Sequence, residues 1–325
     1  MSRLALVTGG TGFAGSHVSD ALRAAGWRVR VPVRATSDLR WVPSGEVECV
    51  PAELRDPASL RRLVEGTSWV VHFGGVTRAT RRADFFEVNT EGTSQLWRAA
   101  RAAGVELFLF CSSLAASGPT PSADHPRREI DPPAPITPYG ESKLEAERRL
   151  LGDATGGPRV LIVRPAAVYG PRDSAVLEFF RWVRRGFLLL PPPRQARVSL
   201  VHGRDLAEAC VFLGDRGASG IFHVSDGGAH SWEDVGEITG QALGRRLHRV
   251  RVPAMVARLA GSIGEWQGRL TGKLPVVNAD KVRDILQPYW ICDTTRLREA
   301  GYASRIGLAQ GIRETLQWYR KEGWL

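Results

Sequence analysis

The sequence predicts an α/β fold, a doubly wound parallel sheet with a smaller, mostly helical C-terminal lobe. Short apolar runs alternate with stretches of helical period, a glycine-rich turn follows the first run, and the alternation loses its regularity beyond residue 170. The 325 residues, 43% hydrophobic and 24% charged, suit a globular chain long enough for a large core or two lobes. No internal repeat or low-complexity tract is evident.

The elements follow in order. Residues 4–7 are an apolar strand that ends in Thr8-Gly9-Gly10-Thr11-Gly12-Phe13-Ala14-Gly15, and a helical pattern through Val18, Leu22 and Ala25 closes at Gly26. A second strand, 28–33, alternates apolar and basic residues. A third, 47–50, leads to Asp56-Pro57, an N-cap acid with proline at the first helical position. A strand at 69–73, a helix at about 90–103 and a strand at 107–111 come next, the last running into Ser112-Ser113. Residues 119–138 contain seven prolines and read as a long loop, from which 139–151 emerges as a helix rich in good helix formers. The strand at 160–163 ends at Arg164-Pro165.

The chain divides into a nucleotide domain, 1–169, and a substrate lobe, 170–325. A strand near 198–201, a helix near 205–213 and a strand near 221–224, within about 196–226, are expected to return to the first sheet. An amphipathic helix near 176–185 and the run Phe187-Leu188-Leu189-Leu190 belong to the second lobe. The helical pattern Met255, Val256, Leu259, Ile263, Trp266, Leu270 either packs that lobe, lines an apolar pocket or rests on a membrane surface.

The net charge of +10 raises nucleic acid, an anionic surface or a phosphate-bearing ligand as partners. Only Lys143, Lys273, Lys281 and Lys321 are lysines among 44 basic residues, a bias that reads as coding preference. The arginines form no basic tract with interleaved aromatics, so nucleic acid is not expected. Cys49, Cys111, Cys210 and Cys292 show neither metal-ligand nor disulfide spacing; a reduced compartment and no metal are expected. With the glycine loop so near Met1, and with no apolar run near the ~18 residues of a membrane span, the expected compartment is the cytoplasm.

The glycine loop lies between a strand and a helix, where the backbone can approach a pyrophosphate and the helix N-terminus stabilises its charge. This is the dinucleotide-binding, or Rossmann, arrangement. Arg34 stands at the end of the second strand, where an acid would bind the ribose hydroxyls of NAD and a cation pairs with a 2′-phosphate; NADP(H) is favoured, with NAD(H) the alternative and Arg40 a second cation. Tyr139 and Lys143 lie one helical turn apart, so an ammonium can favour the phenolate of a general acid/base. Ser113, just past a strand, is placed to polarise a carbonyl.

Thr8 to Gly15, His72-Phe73-Gly74-Gly75, Ser112-Ser113 with Gly118, Tyr139 to Lys143, and Arg164-Pro165-Ala166-Ala167-Val168-Tyr169-Gly170-Pro171 together resemble the extended short-chain dehydrogenase/reductase family over nearly the whole chain. Val201-His202 with Asp205-Leu206-Ala207 is similar to a later signature of that family. The resemblance implies that Gly9, Gly12, Phe13, Ala14 and Gly15 bind the cofactor phosphates and that Glu53-Leu54 lies against the adenine. It also implies that Gly74, Gly75, Val76 and Ser112 line the cofactor, with Pro165 and Val168 at the nicotinamide. Tyr139 is implied as acid/base, Lys143 as holding the nicotinamide ribose, Ser113 as carbonyl polariser and Asn89 as support for the neighbouring strand. Dimers of the family pair two helices per subunit, here those near 90–103 and 139–151, so a homodimer is implied.

Leu114-Ala115 stand after Ser113 where dehydratases of the family carry an acid pair, which argues against dehydration. The stretch Ser112 to Ala116 and Arg34 are closer to the branch of 3β-hydroxysteroid dehydrogenases, dihydroflavonol reductases and 3-oxo-lipid reductases. The leading expectation is an NADPH-dependent reductase of an apolar ketone. The alternatives are a sugar-nucleotide epimerase with tightly held NAD and a non-catalytic nucleotide-binding scaffold or sensor.

Overall fold

Seven parallel strands form the central sheet of the computed structural model, which describes residues 3–53, 56–271 and 278–325. They are β1 (Leu4–Thr8), β2 (Arg28–Val33), β3 (Val47–Pro51), β4 (Trp69–His72), β5 (Leu107–Cys111), β6 (Arg159–Pro165) and β7 (Gly220–Val224). Their spatial order is β7-β6-β5-β4-β1-β2-β3, so the order reverses beside β1 and leaves a crevice between the carboxyl ends of β1 and β4. Crossover helices cover both faces. For that reason β1 is buried along its whole length and Leu107 to Phe110 of β5 are inaccessible; such a side chain contributes about 1.5–3 kcal/mol of burial.

On one face α1 (Phe13–Ala24) packs against the later helix Gly203–Asp215, and Trp27 stacks obliquely on Trp69. On the other, α2 (Pro57–Val64), α3 (Gly92–Ala102) and α4 (Pro138–Gly152) bury Leu60, Leu63, Leu96, Trp97, Ala146 and Leu150 against Val70, Phe108 and Phe110. Asp56 accepts hydrogen bonds from the Ala58 and Ser59 amides, the cap expected before Pro57.

The helix predicted at about 90–103 begins earlier. A helical turn at Arg82–Phe85 runs through a π-helical turn, Phe86–Glu91, into α3. π-Turns gather at functional sites, and the wide turn here sets Asn89 inward, where it meets groups distant in sequence.

Of the elements expected to return to the sheet, only the strand at β7 hydrogen bonds within it, along β6. The predicted strand near 198–201 is two short pieces: Arg197–Val198 pairs with Tyr289–Trp290, and Leu200–His202 pairs with Ala167–Tyr169. The correction has a local cause: β6 ends at Pro165, the chain turns out of the sheet, and its continuation rather than the sheet edge receives residues 200–202.

In the C-terminal lobe Phe187–Leu190 is a strand paired with His248–Arg251; its alternation buries Leu188 and Leu190 against Val183 and exposes Phe187. The helix Ala254–Thr271 turns Met255, Val256, Leu259 and Ile263 outward, which corrects the expectation that this pattern packs the lobe. The side chains of Trp266 and Leu270 lie outside the described residues, as does Leu54. No helix among the described residues is long and apolar enough to cross a membrane.

Candidate active site

The glycine loop turns at Gly9, whose φ of +72° is one that favours glycine, and the Gly12 amide donates to the Gly9 carbonyl at 2.9 Å. A Cβ on Gly9 would lie 2.7 Å from the Phe73 carbonyl carbon, and one on Gly15 would lie 2.2 Å from the Gly9 oxygen. Gly12 caps α1 without a side-chain hydrogen bond, so the amides of the first turn, at Phe13 and Ala14, meet no capping side chain. Together these features fit a dinucleotide phosphate at the helix N-terminus. Gly15→Ala is expected to weaken nucleotide binding at least about tenfold, about 1.4 kcal/mol, in a fluorescence titration; unchanged affinity would show that the loop spreads freely.

A cleft of about 530 Å³ opens beside this loop, lined by Thr11, Gly12, Phe13, Arg40, Trp41 and Arg172 among others. Arg40 is paired with Asp38 at 2.5 Å and lies over Trp41. Arg34 is exposed just past β2, its amide donating to the Ser37 hydroxyl. Glu53 is exposed past β3, with its amide on the Ser59 hydroxyl.

The next cradle, Gly74 to Val76, is held by a chain of side chains. The Gly74 amide donates to Thr8 Oγ1 at 3.1 Å, and the Thr8 hydroxyl lies 2.5 Å from His72 Nδ1. His72 Nε2 lies 2.9 Å from Thr93 Oγ1, which donates to the Asn89 carbonyl at 2.6 Å. The chain is complete with Nδ1 accepting and Nε2–H donating, the neutral tautomer. Burial and then the Lys143 charge lower His72 to about 3. Asn89 Oδ1 accepts from the Val76 amide at 2.8 Å, and Nδ2 donates to the Val76 carbonyl and to Ser142 Oγ, both at 3.0 Å. One side chain therefore joins the cradle to the helix that carries Tyr139.

Since the folded state keeps His72 unprotonated, its stability contribution is present above pH 6.5 and is lost as pH falls toward 3. In His72→Asn the deficit relative to wild type is expected to shrink by about 1.4 kcal/mol per pH unit below 6.5. Urea unfolding of both proteins at successive pH values reads this directly; a constant gap would refute the buried neutral imidazole.

Thr137 caps α4 by accepting from the Gly140 amide, with Pro138 in the first turn. Gly140 has no room for a side chain, because its Cβ would lie 2.3 Å from the Ala115 carbonyl oxygen. That close approach seats α4 against the turn Leu114–Ser117, whose N-cap is Ser113. Ser113 Oγ accepts from the Ala115 amide at 3.1 Å and is in hydrogen-bonding reach of the Tyr139 phenol. The structure thus brings Ser113 and Tyr139 together from opposite ends of the proline-rich loop.

Burial raises the Tyr139 phenol well above its ordinary value; Cys111 and Asp284 push the same way, and the Ser113 hydrogen bond opposes them. Burial, rather than the Lys143 ammonium, dominates, and the phenol is protonated at neutral pH. Lys143 is itself buried, with Nζ 4.3 Å from the centre of the Phe110 ring and close beneath Gly75. Burial lowers it to about 8, while Cys111 and Glu147 favour its charge.

Ser112 departs from the implied role of facing the cofactor: its hydroxyl donates inward to Glu147. Glu147 also receives two nitrogens of Arg164, at 3.0 Å and 2.5 Å, and Arg164 reaches Ser117 Oγ at 2.9 Å. Pro165 ends β6 opposite Val224 of β7, and Val168 is half-buried in the strand beyond. Glu147 was missed in the sequence, although Tyr139, Lys143 and Glu147 repeat at four-residue spacing on one face. Asp284, whose charge also bears on Tyr139, has no signal near the motif. Among the described residues no cluster of three His, Cys, Asp or Glu is suited to a metal.

Residues 5–224 match the NAD dependent epimerase/dehydratase family. The chain is 31% identical to a ceramide reductase of Caulobacter vibrioides over 321 residues, 98% of this chain and 95% of that protein. It is 26% identical to the 4-hydroxy-2-methyl-3-oxo-4-farnesyl-3,4-dihydroquinoline-1-oxide ketoreductase of Stigmatella aurantiaca, over 94% and 93% of the two chains. The structure of UDP-glucose 4-epimerase from Thermus thermophilus in complex with NAD superposes with a TM-score of 0.79 at 26% identity, over 98% of this chain and 99% of that one. With the family match spanning two thirds of its length and a relative 31% identical over nearly all of it, the chain belongs to the NAD dependent epimerase/dehydratase family, the extended short-chain dehydrogenases/reductases.

Proposed function

We propose that the protein is an NADPH-dependent reductase of an apolar, lipid-like ketone, with residues 1–169 binding the dinucleotide and 170–325 forming the substrate lobe. The observation that carries this reading is the placement of the Tyr139 helix against the turn capped by Ser113, which sets the phenol beside that hydroxyl. The side chain after Ser113 is Leu114, buried with Ala166 and Cys292 and packed by Trp290, rather than an acid. An apolar wall directly after Ser113, where elimination would call for an acid pair, suits reduction.

Bound at the glycine loop and the Gly74–Val76 cradle, NADPH would supply the hydride. Ser113 hydrogen bonds the carbonyl oxygen, Tyr139 donates the proton to it, and Lys143 offsets the negative charge left on the phenol. The names of the ceramide reductase and the ketoreductase support this chemistry and an apolar substrate. A homodimer formed through the helices near 90–103 and 139–151 and a cytoplasmic location complete the proposal.

The test is to identify nucleotide released from the purified protein and then to assay NADPH-dependent reduction of long-chain 3-oxo compounds. Empty protein that oxidises NADPH with such a ketone supports the reading. Stoichiometric bound NAD with no ketone turnover favours epimerisation, the activity named for the Thermus neighbour. Arg34→Asp is expected to weaken NADPH binding about tenfold or more while sparing NADH. Equal loss for both would remove Arg34 from the 2′-phosphate.

A further inference from the structure

The helix Ala254–Thr271 has the reverse of ordinary surface polarity. Met255, Val256, Leu259 and Ile263 are 79%, 50%, 61% and 48% exposed and fall within one arc of about 100°. Gly261 is turned inward, where a Cβ would lie 2.7 Å from Val282 Cγ2. Gly261 faces the protein, Ala254 and Ala257 are half-buried, and the large apolar side chains face out. Val250, also exposed, precedes the helix, and exposed Trp182 and Phe187 lie toward the far end of the strand pair that leads into it.

The segment that leads into this face and forms its first turns is basic. From Arg245 to Ile263 the chain carries five arginines and no aspartate or glutamate. Arg249 and Arg251 pair with Glu237 and Glu233 of the neighbouring helix, exposed contacts of the weak kind, and the balance stays positive. The helix packs on Ala279–Ile285, which carries Asp284, one of the charges that bears on Tyr139. The side of the helix opposite its apolar face, at Gly261, is thus the one that rests on an element reaching the site.

We propose that this face docks on a lipid bilayer bearing anionic headgroups, the four apolar side chains entering the acyl boundary and the arginines meeting the headgroups. A second copy of the chain suits it less, because a two-fold contact would bring the same arginines together. The surface inference does not depend on hydride chemistry. Only its corollary, that an acyl substrate passes from the bilayer toward Tyr139, rests on the proposed lipid-like substrate.

The experiment is flotation of the full chain with phosphatidylcholine vesicles with and without phosphatidylglycerol, beside sedimentation of the protein alone. The expected result is association with the anionic vesicles that weakens in high salt. It should drop at least about tenfold in the Met255→Asp/Leu259→Asp variant, whose nucleotide affinity and thermal midpoint remain those of wild type. Failure of the wild type to float on either vesicle, or flotation of the variant like wild type, overturns the proposal. So does a dimer of the wild type that the same variant dissociates, since a second copy then covers the face. Nucleotide release and ketone turnover are read separately, so loss of the reductase assignment leaves the flotation result standing.

Discussion

Tyr139→Phe is expected to lower kcat by about 10² to 10⁴, or about 3–5 kcal/mol, while nucleotide affinity changes by less than about twofold. The substitution removes the hydroxyl and keeps the ring, whose neighbour is Phe85 at 6.3 Å, so packing at the start of α4 is preserved. Burial above all, with the Asp284 carboxylate acting the same way, holds the phenol protonated, which makes it a donor at neutral pH. The measurement is steady-state turnover on the ketone identified in the panel, beside a nucleotide titration of the same preparation. Turnover like that of wild type would remove Tyr139 from the chemistry. Equal loss of nucleotide binding would show that the hydroxyl matters to the cofactor instead.

Glu147→Gln is expected to cost about 3–5 kcal/mol of folding stability, the largest effect of any single substitution away from the reacting atoms. Glu147 and Arg164 have side chains 1% and 3% exposed and are joined through two nitrogens, so removal of the carboxylate charge leaves a buried guanidinium poorly compensated. The double variant Glu147→Gln/Arg164→Met is expected to regain much of the loss, because a buried pair replaced at both ends no longer strands a charge. Urea unfolding of the four proteins closes the cycle; additive losses would show that the two groups do not depend on each other. The same carboxylate favours the Lys143 ammonium, so its loss moves Lys143 further below about 8. The activity deficit of folded Glu147→Gln should accordingly be larger at pH 8 than at pH 6.

Much of this architecture is legible from local pattern. The apolar run at 107–111 reads as a short strand covered on both faces, and the glycines at 9 and 15 mark a turn and a close approach that side chains forbid. Other features escape local reading. The helix at 90–103 starts at Arg82 through a π-turn whose Asn89 bonds Val76 and Ser142, 13 and 53 positions away. Propensity within the segment contains no trace of those partners. Ser112 and Ser113 are neighbours with the same side chain, yet one hydroxyl points inward to Glu147 and the other reaches the Tyr139 phenol.

The sequence by itself determined the class of fold, the alternation of strands and helices up to about residue 165, the glycine loop and the Tyr139–Lys143 spacing, since each follows from chemistry within a few residues of itself. Tertiary structure alone decided where Ser113 meets Tyr139, how low burial takes Lys143, and which residues 200–202 pair with. It also decided that Met255 and Leu259 face outward, because Gly261 is the side of that helix that fits against Val282. Desolvation and close packing depend on every element that surrounds a group, and those elements are distant in the chain.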